Sequence, residues 1–327
     1  MPKLGTESAF EVLDRAQKLQ RMGKDIINLG IGQPDFKTPP HIVEAGRKAL
    51  QDGHHGYTPA NGIPELREAV AFDLKKRHRV NVNTENIIVV PGGKPTIFFT
   101  LLMFGGVNSE IIYPDPGFPI YRSLINFTGS KGVPISMKEE NGFSFNADDI
   151  LEKITPNTKL VIINSPANPT GGVTSKQELD KFVTEIAKNP TIAILSDEIY
   201  SHMVYEKTDY TSLLQYPQIH DQLIMLDGWS KTYAMTGWRI GYAVWPKLLI
   251  PHVTRLCINN HSCVNAATQH AAIAALIGPH DAVYQMLKQF SIRRSLIHEE
   301  LNSLPNFKCQ MPGGAFYAFP NIKDTGL

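Results

Sequence analysis

Short, continuously apolar runs alternating with helix-periodic stretches constrain this chain more than any other feature. Runs at 86–90, 110–113, 131–135, 159–164, 191–196, 223–226 and 239–244 are rich in Ile, Val and Leu and too short for helices. Such runs read as strands, most of them covered on both faces. Between them, helical spacing is visible at 11–22, 63–76, 175–187, 264–277 and 281–301, for example as Leu66, Val70 and Leu74. Pro39-Pro40 opens a further helix to Leu50, and others are expected from Ile97 onward and over 148–154. Strand–helix alternation predicts an α/β fold, a mostly parallel sheet flanked by helices, and 327 residues leave room for a smaller companion domain.

The loops after these strands are not ordinary connections. Gly30-Ile31-Gly32-Gln33-Pro34-Asp35-Phe36 has glycines that would let backbone approach a ligand, or would serve equally well in a linker. Pro91-Gly92-Gly93-Lys94 joins a strand to a helix, the geometry that aims N–H groups at an anion. A nucleotide-binding P-loop needs a further glycine where Ile88 stands, so a simpler phosphate cup fits better. Phe118 follows a strand where open α/β sheets place ligands, and its ring could stack on a planar group or join the core. Asn168 lies in a loop shaped by Pro166, Pro169, Gly171 and Gly172. Asp197 ends a buried strand and there needs a cation or donors, unless it caps the next turn; Tyr200 follows three residues later. The peptide bonds Asp115–Pro116 and Asn168–Pro169 are expected to be cis.

Bulk properties exclude several classes. With 32 basic and 31 acidic side chains the formal charge is +1, so no field of one sign attracts nucleic acid or a membrane surface. The most apolar stretch, 97–104, is too short to span a bilayer. The start of the chain, with Glu7 and no apolar core, does not read as a signal peptide. Cys257, Cys263 and Cys309 lack metal or redox spacing, and the paired His54-His55 has no partners for a metal. No metal site and a cytoplasmic location are the expectations.

Ser230-Lys231, directly after the 223–226 strand, and Arg239, eight residues after the lysine, sit in one glycine-bearing loop. A hydroxyl and a guanidinium suit a phosphate dianion, and a partly desolvated lysine beside them can attack a carbonyl. Together they suggest pyridoxal 5'-phosphate (PLP), although a surface Ser-Lys pair with a structural arginine has the same residues. The ordered set Gly92-Gly93-Lys94, Asn168-Pro169-Thr170-Gly171, Asp197 with Tyr200, and Ser230-Lys231 with Arg239 resembles the class I/II aminotransferases of PLP fold type I. Gly32 to Phe36, Tyr57 with 62–67, and 312–320 match as well.

The resemblance implies a Schiff-base Lys231 that also moves the substrate Cα proton, and Asp197 on the pyridine nitrogen. Tyr200 and Asn168 would hold the phenolic oxygen, and Phe118 would stack on the ring. Gly93, Lys94, Ser230 and Arg239 would hold the phosphate, with Tyr57 reaching the phosphate of the neighbouring subunit in a homodimer. Gly32 and Asn168 could touch the substrate α-carboxylate. Amino-group transfer between an amino acid and a 2-oxo acid is the implied reaction; the alternatives are a C–S β-lyase of the same fold and a non-catalytic PLP-binding module. Lys94 could meet an acidic substrate side chain or face solvent. Two departures stand out: Gly228 replaces a Ser or Thr phosphate ligand, and no residue matches the arginine that clamps the α-carboxylate. The chain is therefore expected to be a fragment or truncated product that binds PLP but transaminates poorly. The expected domain division is 1–40, 41–285 and 286–327, the first and last belonging to the small domain. Arg293-Arg294 reads as a solvated face.

Overall fold

The computed structural model describes residues 4–5, 8–205 and 208–326. Glu7 and Leu327, used above for the leader and the last domain boundary, lie outside the described residues. Seven strands form the main sheet: β1 (Ile87–Val90), β2 (Glu110–Asp115), β3 (Lys131–Ser136), β4 (Thr158–Asn164), β5 (Ala193–Asp197), β6 (Leu223–Gly228) and β7 (Gly241–Val244). Their order is β1-β7-β6-β5-β4-β2-β3. Every pairing is parallel except those of β7, which runs antiparallel to both β1 and β6.

Period-two alternation sends the strand side chains to two separate cores. Ile87, Val89, Val161, Ile163, Ile194 and Met225 pack on one side. Ile88, Val90, Leu160, Ile162, Leu195 and Ile224 pack on the other. The first core is covered from α2 (Pro40–Gln51), α3 (Pro64–His78), α7 (Lys176–Ile186) and α10 (Ala266–Ile277). The second is covered from α4 (Lys94–Phe104), α5 (Pro119–Thr128) and α9 (Ile250–His261). The remaining helices are α1 (Ser8–Arg21), α6 (Ala147–Leu151), the single turn α8 (Trp229–Thr232) and the long α11 (Asp281–Ser303). A two-stranded ribbon joins β8 (Lys308–Cys309) to β9 (Pro320–Asn321).

Three expectations are corrected, and one helix was not expected. The strand expected over 239–244 begins only at Gly241, because Arg239 adopts a left-handed conformation (φ 55°) that no strand accommodates. The turn and strand expected over 312–320 is mostly loop, tied by Gly313 and Gly314 N–H groups to the Gly171 carbonyl at 3.0 and 2.9 Å. Helix α9 had no expectation: Pro251 within its first turn obscured its start. Arg294 is not on a solvated face: its guanidinium stacks 4.2 Å from the Tyr205 ring and donates to the Pro312 carbonyl.

Buried Gln269 on α10 fastens the loop after Tyr57 to this frame. Its Oε1 accepts from Ile63 N–H at 2.8 Å, and its Nε2 donates to Thr58 Oγ1 and the Val264 carbonyl, both at 2.9 Å. Gln269→Leu strands those groups in a dry site, so denaturant unfolding should show a loss of about 2–3 kcal/mol.

Candidate functional site

The expected residues gather at the carboxyl ends of the central parallel strands, where open α/β sheets leave a crevice. Lys231 stands on α8, one turn beyond β6, and α8 is anchored by the Trp229 indole donating to the Ala272 carbonyl at 3.1 Å. Lys231 Nζ donates to the Gly32 carbonyl at 2.5 Å and lies 5.9 Å from the centre of the Tyr200 ring and 5.6 Å from that of Phe316. The Tyr200 hydroxyl is 2.5 Å from that of Tyr317, which also lies over Gly32.

Asp197 ends β5 beside Asn164, the last residue of β4. Asn164 Nδ2 donates to the Asp197 carbonyl at 2.9 Å, while its Oδ1 accepts from Asn168 N–H at 2.8 Å. One amide thus sets the Asn168 loop against the Asp197 turn. The Tyr121 hydroxyl, from α5, donates to Asp197 Oδ2 at 2.7 Å, and its ring meets Phe118 edge-on at 5.8 Å. Lys94 Nζ is 5.6 Å from the Phe118 ring centre. Asp115–Pro116 and Asn168–Pro169 are cis as expected, and Ser165–Pro166 is cis as well.

A cradle lies between α4 and the 228–239 loop. Gly93 caps α4 without a side-chain bond, leaving the helix N-terminus open for an anion. Gly92 has φ 83°, and a Cβ there would fall 2.2 Å from Arg239 Nη2, so the guanidinium lies directly over the glycine turn. Ser230 is buried in α8. Arg239 Nη1 donates to the Thr236 carbonyl at 2.7 Å, and Thr38 Oγ1 holds the same loop through the Ala234 carbonyl at 2.8 Å. Gly228 is explained by packing: a Cβ there would sit 2.9 Å from the Cα of Gly241. Tyr57 is not brought to this cluster; it is 94 % exposed.

The profile of the family described as "Aminotransferase class I and II" matches residues 24–325. The chain belongs to the class I and II aminotransferases. It is 40 % identical over 308 residues to the probable aspartate aminotransferase of Methanocaldococcus jannaschii, covering 92 % of this chain and 80 % of that one. It is 36 % identical to the aspartate aminotransferase of Geobacillus stearothermophilus, over 98 % of this chain and 82 % of the relative. The crystal structure of Thermus thermophilus aspartate aminotransferase with maleate superposes with a TM-score of 0.92 at 33 % identity, covering 97 % and 82 %. This aminotransferase therefore carries out PLP-dependent amino-group transfer between amino acids and 2-oxo acids, in fold type I. The relatives give the lyase and non-catalytic readings no support. Among the described residues no helix is long and apolar enough to cross a membrane, and no cluster of metal ligands is present.

The donor set suits the cofactor. Burial pushes the Asp197 carboxyl up to about 6, against the pull of the Tyr121 hydroxyl and the Ile199 N–H. A carboxylate so placed calls for a cation, such as a protonated ring nitrogen. Burial, then the Tyr317 hydroxyl, holds the Tyr200 phenol well above its ordinary range, so it stays a neutral donor. Tyr121, Tyr317 and Asn164 were missed from sequence. Tyr121 and Tyr317 meet partners 76 and 117 residues away, while Asn164 directly precedes the Asn168 loop; only the proline-shaped loop after Asn164 and the aromatic cluster at 316–319 hinted at them.

A carboxyl whose folded pKa lies above its ordinary value costs stability when ionised. For Asp197 that cost is absent below 3.8 and complete above about 6. Asp197→Asn keeps an acceptor for Tyr121. In cofactor-stripped protein it should raise stability at about pH 8 by up to about 3 kcal/mol, at about 1.4 kcal/mol per pKa unit. Denaturant titrations should show that advantage closing as the pH falls through this window, while PLP binds the variant more weakly.

Proposed function

We propose that this aminotransferase uses Lys231 as its PLP lysine and aspartate as an amino donor. The observation that supports the first role most directly is the position of Lys231, between the Gly32 carbonyl and the Tyr200 ring and next to buried Ser230. Bound there, PLP supplies an aldehyde that captures amines and a ring that accepts electrons from Cα. Lys231 takes the proton from the substrate Cα and returns it after transfer. Asp197 keeps the ring nitrogen protonated, and Tyr200 and Asn168 donate to the phenolic oxygen. Phe118 stacks on the ring. Backbone N–H groups of Gly93 and Lys94, with Ser230 and Arg239, hold the phosphate. Gly32 and Asn168 border the α-carboxylate.

Aspartate as donor rests on the names of the relatives and on Lys94, whose ammonium stays near the Phe118 ring and can meet a second carboxylate. Exposed Tyr57 supports a homodimer in which it completes the partner's phosphate site. Three free cysteines support a reducing, cytoplasmic setting. We further read 41–285 as the large PLP-binding domain, with 1–40 and 286–327 contributing to a small one.

Borohydride reduction of the PLP-loaded protein followed by peptide mapping should place the pyridoxyl group on Lys231; a label on another lysine overturns the assignment. Lys94→Ser should lower kcat/KM for aspartate roughly 10- to 150-fold, the equivalent of a charged hydrogen bond of about 1.5–3 kcal/mol. Activity with alanine should hardly change. An equal fall for both amino acids removes Lys94 from donor selection.

A further inference from the structure

Beneath the site lies a buried ionic network that the roles above do not use. Asp227, four residues before Lys231, has a side chain only 3 % exposed, and its partner Arg77 on α3 is 17 % exposed. Asp227 Oδ1 accepts from the Gly228 N–H at 2.7 Å. Asp227 Oδ2 accepts from the Ser201 hydroxyl at 2.9 Å, from Arg77 at 3.2 Å and from the Tyr242 hydroxyl at 3.4 Å. Arg77 also donates to Asp73 at 2.7 Å, to Ser201 at 3.1 Å and to the Tyr242 hydroxyl at 3.2 Å.

These contacts join elements that carry the chemistry. Gly228 opens the turn to Lys231, Ser201 follows Tyr200, and Tyr242 lies on β7 just past Arg239. Gly228 has no side chain with which to fix its own turn, and its contact with Gly241 leaves no space for one. A buried ion pair is a poor source of stability, since apolar residues of similar volume often replace it without loss. Directional bonds to a backbone N–H on one side and a hydroxyl on the other set distances instead.

We propose that Asp227, bridged by Arg77 and Ser201, is a positioning residue for transamination: one carboxylate oxygen fixes the turn bearing Lys231, and the other fixes the turn bearing Tyr200. A displacement of about 1 Å at a reacting group can cost on the order of 100-fold in rate. The network therefore acts on kcat through Lys231 and Tyr200 without touching substrate. This inference rests on the proposed roles of those two residues.

The test uses PLP-loaded, full-chain Ser201→Ala, Ser201→Thr and Asp227→Asn, followed by steady-state kinetics, visible circular dichroism of the bound cofactor and thermal unfolding. Ser201→Ala should lower kcat about tenfold with KM within about twofold, and alter the visible dichroism, as expected for a misplaced group. Ser201→Thr, which keeps the hydroxyl, should recover most of that loss. Asp227→Asn should be slower still; if it does not fold, Ser201→Ala decides. Lowered melting temperature with parental kcat and dichroism would make the network purely structural and overturn the proposal. Borohydride mapping of the parent separates the two readings. A label away from Lys231 sinks the site assignment, whereas a label on Lys231 with unchanged kcat in Ser201→Ala sinks this inference alone.

Discussion

A carboxylate withdrawn from water at the end of β5 is the constraint around which the site is built. Asp197 cannot be hydrated where it stands, and its charge is sustained only by groups brought to it. Tyr121 reaches it from α5 and the Ile199 N–H from the following turn; in the proposed site a cationic ring nitrogen of PLP would complete the set. Asn164 ties the same turn to the Asn168 loop. In that proposal cofactor binding and local order are coupled: the group that would keep PLP an electron sink is the group whose charge burial disfavours in its absence.

The second requirement is close approach of backbones. Gly228 packs against Gly241, and Gly241 against the Gly92–Gly93 peptide, so a Cβ at either position would press on neighbouring main chain. This brings β6, β7 and the start of α4 together tightly enough for Arg239 to reach over Gly92. It also explains why Gly228 carries no phosphate ligand. A phosphate bound in the proposed cradle would still meet the helix N-terminus, Ser230 and the guanidinium, and spacing there is set by close glycine packing rather than by a further hydroxyl.

Much of this was legible in the chain. Apolar runs placed the strands within a few residues, because strands covered on both faces need continuous Ile, Val and Leu. Punctuation by Gly, Pro and Asn marked the loops that surround the site. Less legible were the limits of those elements. Arg239 was read into β7 because an apolar run follows it, yet its left-handed backbone ends the preceding loop. Arg294 looked like surface charge on a polar helix and instead packs on Tyr205.

The sequence by itself determined the α/β architecture, the order of the motif loops and the residue types able to hold a phosphate, a ring and a Schiff base. Those follow from local periodicity and from side-chain chemistry, which a chain carries without being folded. Tertiary structure alone decided the partnerships. Tyr121 meets Asp197 across 76 residues, Tyr317 meets Tyr200 across 117, and Arg77 meets Asp227 across 150. No spacing rule links such pairs, because the contact depends on which strands lie side by side and on how far each helix carries its residues over the sheet.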